Sequence, residues 1–235
     1  MRPIVKSVHV PIGDERLDGD LAIPDNPQGL VLFAHGSGSS RHSPRNQFVA
    51  RVLQQRNLAT LLIDLLTFDE EAIDSQTGHL RFDIEMLADR LGAIIEWLRA
   101  QRETSALPIG IFGASTGGGA ALMAAAAQPA QVGAVVSRGG RPDLAGSALP
   151  HVKAPTLLIV GGNDTPVIRM NRDAMAQMSD KVVLEIVPGA THLFEEPGTL
   201  ERVADLAGNW FARWLTVRPS TPEEKSHVPA GQRER

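Results

Sequence analysis

Residues 107–122 read Leu-Pro-Ile-Gly-Ile-Phe-Gly-Ala-Ser-Thr-Gly-Gly-Gly-Ala-Ala-Leu, and the reading of this stretch decides the fold. An apolar run of strand character, Ile109–Phe112, passes through Gly113-Ala114-Ser115-Thr116-Gly117 into an alanine-rich segment of helical character. The G-x-S-x-G spacing puts the serine on an abrupt strand-to-helix turn with its hydroxyl exposed. A serine held there is in a strained backbone conformation, so its neighbours must be small for strand and helix to approach. The bland alternative is a plain glycine-rich turn. The strand before it, the helix after it and the partners below favour a nucleophile.

Outward from this stretch, short apolar runs alternate with longer segments of helical period, the pattern of a parallel sheet covered on both faces. The expected strands are Leu30–Ala34, Ala59–Ile63, Ile109–Phe112, Val132–Val136, Thr156–Val160 and Val182–Val187, each almost continuously apolar, as strands buried on both faces are. Pro3–Pro11 and Leu17–Ile23 read as an antiparallel hairpin at one edge. A helix is expected from Ser43-Pro44, with Phe48, Val49, Val52 and Leu53 on one face. Others are expected from Asp83 with its stripe from Ile84 to Leu98, after Ser115, and over Ile168–Met178. The last carries Leu200, Val203, Leu206, Trp210, Phe211 and Trp214 at helical spacing, so its tryptophans read as core anchors.

A serine hydroxyl needs a base, and histidine suits that task near neutral pH. In this kind of sheet the chain order is Ser, then Asp or Glu, then His after the last strand. His192, in Val187-Pro188-Gly189-Ala190-Thr191-His192, holds that place, whereas His9 lies in the first strand and His151 precedes one. Asp164 follows the strand Thr156–Val160 at its carboxyl end, where catalytic groups of open α/β sheets gather. It could instead be an N-cap or turn aspartate, and Asp143 is the runner-up acid. The oxyanion of a tetrahedral intermediate needs two backbone N–H groups. They are assigned to Thr116, directly after the nucleophile, and to Ser37 in the loop His35-Gly36-Ser37-Gly38-Ser39-Ser40. His35 reads as a residue that holds this loop by local hydrogen bonds.

The same loop offers Gly36-x-Gly38 with Asp64 ending the next expected strand, the start of a dinucleotide fingerprint. Its third glycine position is Arg41, however, and no G-x-x-x-x-G-K-[ST] occurs, so nucleotide binding is set aside.

Composition narrows the function further. The 235 residues carry 23 basic and 27 acidic side chains, a net charge of −4, with 43% hydrophobic and 4% aromatic residues. That balance gives no electrostatic footprint for nucleic acid or an anionic membrane, and few rings on which bases could stack. With no cysteine there is no disulfide, thiolate metal site or thiol nucleophile. No metal site or cofactor is expected. The opening MRPIVKSVHVPIGDE lacks a signal-peptide pattern and no run nears the ~18 apolar residues of a membrane span, so a cytoplasmic location is expected.

Four segments together, LVLFAHGSGSSRHSPRN, GIFGASTGGGAAL, APTLLIVGGNDTPV and VPGATHLFEEPG, make residues 30 to 215 resemble the α/β-hydrolase superfamily. Within it the chain is similar to the dienelactone-hydrolase-like group of small hydrolases without a helical cap. The resemblance implies cofactor-free hydrolysis of carboxylic esters or lactones. It carries the nucleophile to Ser115, the acid to Asp164, the base to His192 and the oxyanion donors to Ser37 and Thr116. Dienelactone hydrolases themselves use a cysteine nucleophile and arginines that hold a substrate carboxylate. Serine at the elbow therefore moves the expected substrate from dienelactone towards ordinary small esters.

The expected fold class is α/β, an α/β-hydrolase fold with a mostly parallel central sheet, helices on both faces and no helical cap domain. Residues 1–218 form the expected catalytic domain, and 219–235, polar and proline-containing, a flexible tail. Only Ser137–Ala154 stands where caps usually enter, which implies an open site. The connection Leu65–Phe82 could fold over it, contributing Leu65, Phe68, His79 and Phe82, or be a surface loop. Arg138 and Arg141 are open to binding a substrate carboxylate or to structural salt bridges. The expected activity is acyl-enzyme hydrolysis of a small-molecule ester or lactone. An acyl transferase or perhydrolase with the same triad, and a non-catalytic binding protein on the same fold, are the alternatives.

Overall fold

The computed structural model describes residues 3–216. The tail expected over 219–235 lies outside the described residues. Eight strands build one sheet: β1 (Ile4–Ile12), β2 (Glu15–Ile23), β3 (Gly29–Ala34), β4 (Leu58–Ile63), β5 (Ile109–Ala114), β6 (Val132–Arg138), β7 (Thr156–Gly161) and β8 (Val182–Val187). Their spatial order is β1-β2-β4-β3-β5-β6-β7-β8. The hairpin β1–β2 joins β4 antiparallel, and β4, β3, β5, β6, β7 and β8 are mutually parallel. The edge hairpin and the mostly parallel sheet thus form as the periodicity implies. Strands β3, β4, β5 and β7 are buried at every residue, because helices cover both faces.

Six helices do the covering: α1 (Pro44–Gln55), α2 (Phe68–Thr77), α3 (Ile84–Ala100), α4 (Thr116–Ala127), α5 (Thr165–Met175) and α6 (Thr199–Trp214). On one face Leu87, Leu91, Ile94, Ile95 and Leu98 of α3 pack with the small residues of α4 against Leu30, Leu32, Ile109 and Ile111. On the other, Val49 and Leu53 of α1 and Val203, Ala207 and Phe211 of α6 pack on Val31, Phe33, Phe112 and Val136. Trp210 and Trp214 lean on this second core, and the Trp210 indole donates to the carbonyl of Pro155 at 3.3 Å.

Two segments differ from expectation. The helix placed at Ile168–Met178 begins three residues earlier, because Asp164 and Pro166 supply its cap position and first turn. The connection 65–82 is an ordered helix rather than a lid or an irregular loop. Thr67 and Glu70 close a capping box at the start of α2, and Gly78 ends it in the left-handed conformation. A 3₁₀ turn, Leu80–Phe82, follows. The buried Asp74 carboxylate accepts from the N–H of Leu80 and from Arg81 Nε at 2.7 and 2.5 Å, and Arg90 of α3 forks onto Glu70 at 2.7 and 2.5 Å. After β6 stand only 3₁₀ turns within Pro142–His151, with no helical cap.

Candidate active site

The residues singled out in the sequence meet at the carboxyl edge of the parallel strands. Ser115 sits between β5 and α4 with φ 51° and ψ −120°, a conformation that L-residues rarely adopt. Its surroundings fix it there. The Ser115 N–H donates to the carbonyl of Arg138 at 3.2 Å, and its own carbonyl accepts from Gly118 and Arg141 at 3.0 Å each. A Cβ on Gly113 would stand 2.5 Å from the Gly117 carbonyl oxygen, and one on Gly117 would collide with the carbonyl of Ala34. The elbow glycines are therefore required by close approach of backbones.

His192 lies on the loop after β8, and its Nδ1 donates to Asp164 Oδ2 at 2.7 Å. Its Nε2 faces Ser115 Oγ at 3.4 Å. The carboxylate sets the tautomer, leaving Nε2 unprotonated and turned to the serine hydroxyl. Asp164 does occupy the N-cap position of α5, yet its side chain makes no capping bond there. The carboxylate goes to His192 instead. Asp143, the other candidate acid, is exposed and forks onto Arg141 at 2.7–3.2 Å.

The loop after β3 passes beside the serine. His35 Nε2 accepts the N–H of Leu65 and its Nδ1 donates to the carbonyl of Gly36, both at 3.0 Å, so the ring ties this loop to the end of β4. Burial holds the His35 pKa below its ordinary value, which keeps the ring neutral in this role. The Ser37 N–H donates to Thr116 Oγ1 at 2.9 Å, so the two residues expected to serve the oxyanion are bonded to each other. Arg41, which broke the dinucleotide fingerprint, turns back onto Asp64 through both its backbone N–H, at 2.6 Å, and its guanidinium. The carboxylate that would have taken a ribose is thereby occupied.

A cleft of about 220 Å³ opens over the serine, lined among others by Ser37, Ser43, Arg45, Ser115, Arg138 and His192. Leu65, Phe68, His79 and Phe82 are not in its lining, but Leu65, Leu66, Glu71 and Arg81 of the 65–82 connection border a small neighbouring pocket together with Ser37 and Thr116. Phe68, 89% exposed, borders a second cleft of about 470 Å³, lined also by Gly38, Ser40, Arg41 and Asp64. Arg45 and Leu193 are lining residues that sequence reasoning missed, and Arg45 is the charged one. Its signal was present in Ser43-Pro44-Arg45, a helix start just after the glycine-rich loop, which puts residue 45 on a first turn at the carboxyl edge of the sheet. Among the described residues no cluster of three or more His, Cys, Asp or Glu is placed to hold a metal ion, and no helix is long and apolar enough to cross a membrane.

Comparison with known proteins places this geometry in context. The sequence pattern of the dienelactone hydrolase family matches residues 48–214. A solved dienelactone hydrolase from Anabaena variabilis is 62% identical, with TM-score 0.90, over 92% of this chain and all of that one. Est1E from Butyrivibrio proteoclasticus, 16% identical with TM-score 0.74 over 88% of this chain and 98% of its own, shares the fold. A Mycobacterium tuberculosis protein whose curated name puts forward a phosphoribosyl transferase is 57% identical over 206 residues, 88% of this chain. The chain spans about half the length of that relative, 46% of it. By the extent of the family pattern and the likeness to the Anabaena protein along its whole length, this chain belongs to the dienelactone hydrolase family.

Proposed function

We propose that the protein is a serine hydrolase of small carboxylic esters or lactones that works through an acyl-enzyme. The observation that carries this reading is the relay Asp164 Oδ2–His192 Nδ1, 2.7 Å, and His192 Nε2–Ser115 Oγ, 3.4 Å, at an open cleft. The second distance is long for a hydrogen bond, as serine–histidine contacts often are before substrate binds.

In this mechanism Ser115 Oγ attacks the ester carbonyl carbon while His192 Nε2 takes its proton. Asp164 stabilises the imidazolium that forms. The carbonyl oxygen, now an oxyanion, lies at the head of α4, where the Thr116 N–H has no intrahelical acceptor. The Ser37 N–H reaches the same oxyanion by exchanging or sharing its bond to the Thr116 hydroxyl. Collapse of the intermediate expels the alcohol, which receives the proton from Nε2. Water then repeats the attack, with His192 again as base, and releases the acid.

The mycobacterial relative's name belongs to a protein more than twice as long as the matched part, and the Ser115, Asp164 and His192 geometry lies within that part. An active-site phosphonate probe and a chain-length panel of p-nitrophenyl esters test the proposal. Wild-type protein is expected to label and to turn over short esters, and Ser115→Ala to do neither, with kcat lowered on the order of 10³-fold or more. Labelling that persists in Ser115→Ala would overturn the assignment. Transfer of the acyl group to an added alcohol or peroxide in preference to water would favour the acyl-transferase or perhydrolase alternative.

A further inference from the structure

Helix α5 offers Asp164 from its cap position, and two turns further on it carries Asn171, which is wholly buried. Asparagine is a poor helix former, and an amide is costly to bury unless it is bonded. The Asn171 Nδ2 donates to two carbonyls, that of Val167 one turn back at 2.8 Å and that of Gly140 at 3.1 Å. Two carbonyl acceptors at one end of the amide settle which end is the nitrogen. Its Oδ1 is buried without a donor among the described residues. A leucine would fill the same space without that cost. The bond that distinguishes asparagine here is the one that leaves its own helix, to Gly140.

That bond lands on the turn 138–141, which braces the nucleophile. The Arg138 carbonyl accepts the Ser115 N–H at 3.2 Å, and the Arg141 N–H donates to the Ser115 carbonyl at 3.0 Å. Between them Gly139, with φ 52°, donates to the carbonyl of Ile159 on β7 at 2.7 Å. It also faces the base: a Cβ on Gly139 would stand 3.4 Å from His192 Cε1 and Nδ1. A Cβ on Gly140 would collide with the Ser137 hydroxyl, so this buried part of the turn has no side chain of its own to anchor it. Asn171 supplies the anchor. Among the described residues its bond to Gly140 is the one side-chain hydrogen bond between α5 and this turn.

We propose that Asn171 is a positioning residue of the reaction: it clamps α5, which carries Asp164, to the turn that holds Ser115, and thereby sets the separation of base and nucleophile. The inference rests on the hydrolase reading of Ser115, Asp164 and His192. Asp164 and His192 lie on one side of this joint, bonded at 2.7 Å. Ser115 lies on the other, held in its unusual conformation by two bonds from the clamped turn. The 3.4 Å from His192 Nε2 to Ser115 Oγ is the gap across the joint. Proton transfer requires that gap to close by a few tenths of an ångström, and a misplacement of about 1 Å costs on the order of 10²-fold in rate. A clamp beneath the gap therefore acts on kcat without touching the substrate.

Two variants test it. Asn171→Leu keeps the volume and removes the donor. Asn171→Ser keeps a donor for the Val167 carbonyl, one turn back, but stops short of Gly140. Both are expected to lower kcat on p-nitrophenyl acetate by roughly ten- to a hundredfold, with KM within about twofold. Labelling of Ser115 by a phosphonate should slow by the same factor yet reach the wild-type final occupancy, since the site is intact but misaligned. A third readout needs no turnover: in both variants the Ser115 and Arg141 amides should exchange with solvent faster, because their bonds lie on the released turn. A kcat unmoved in both variants, a final occupancy that falls in step with the rate, or unchanged exchange at Ser115 and Arg141 would overturn the proposal. If the wild type neither labels nor turns over any ester, the hydrolase reading fails. Faster exchange at the two amides would then leave the clamp standing, and unchanged exchange would remove it as well.

Discussion

Thr116 has two tasks that pull against each other. In the proposed mechanism its backbone N–H serves the oxyanion, while in the structure its hydroxyl accepts the N–H of Ser37 at 2.9 Å. That bond fixes the peptide of Ser37 next to the head of α4 before substrate arrives. Thr116→Ala is expected to free the 36–39 loop and lower kcat by roughly tenfold or more with little change in KM, because small misplacements of a catalytic donor are expensive. Steady-state kinetics on a short ester measure the split; an unchanged kcat would show that the hydroxyl does not position Ser37. At this scale Ser115 and His192 were legible, one from its glycine frame and the other from its place after β8. Asp164 was legible only as one of two acids. An N-cap aspartate and a histidine-orienting one have the same local sequence, and it is the contact with His192, 28 residues away, that separates them. Arg45 and Arg138 reach one cleft from 93 residues apart in the chain, and nothing local marks Arg138 as unpaired.

Helix α2 shows how an element can be present in the sequence without the usual sign. It has no apolar stripe: Phe68 and Ile73 are exposed and the one buried residue is Asp74. Its signals lie at the ends, in Thr67-x-x-Glu70, the acidic first turn Asp69-Glu70-Glu71, and Gly78 at the close. Periodicity finds helices that pack, whereas α2 is held by its caps and by ion pairs to Arg81 and Arg90. Thr67→Ala should therefore destabilise α2 by about 1 kcal/mol. Hydrogen exchange is expected to show the amides of 68–77 opening faster. The ester kcat/KM should stay within about twofold, since no residue of α2 lines the serine cleft and Thr67 makes its bonds within α2. A loss of activity in step with exchange would mean that the connection supports the serine cleft after all.

Across the whole molecule, acid should act in two separate ranges. His35 is neutral and buried, with a pKa below the ordinary 6.5, so below that pH the unfolded chain takes up a proton that the folded protein resists. Stability should fall as the pH drops below 6.5 towards the lower, folded-state pKa. The carboxylates follow later. Fork bonding by Arg90 holds the Glu70 pKa below its ordinary 4.5, and at Asp74 the bonds from Arg81 and Leu80 outweigh the burial that opposes them. Their contribution is present above those ordinary values and is lost as the pH falls through the lower, folded ones. Urea denaturation between about pH 5 and 7 checks the first range; in His35→Asn the slope there should vanish, and an identical slope would assign it elsewhere.

What the sequence determined by itself is the layered α/β architecture, the edge hairpin, and the chain order of Ser115, Asp164 and His192. These depend on local period, on residue size at a turn and on order along the chain, all properties of short stretches. Family membership follows from the same stretches. Only the tertiary structure decided which acid faces His192, that the 65–82 connection folds into helix α2 and stays out of the serine cleft's lining, and that Arg41 closes off Asp64. It alone shows that Arg138 lines the serine cleft with no acceptor for its Nε or Nη1 among the described residues. Pairing and burial are relations between residues far apart in the chain, and the packing of the sheet edge, not the local sequence, sets them.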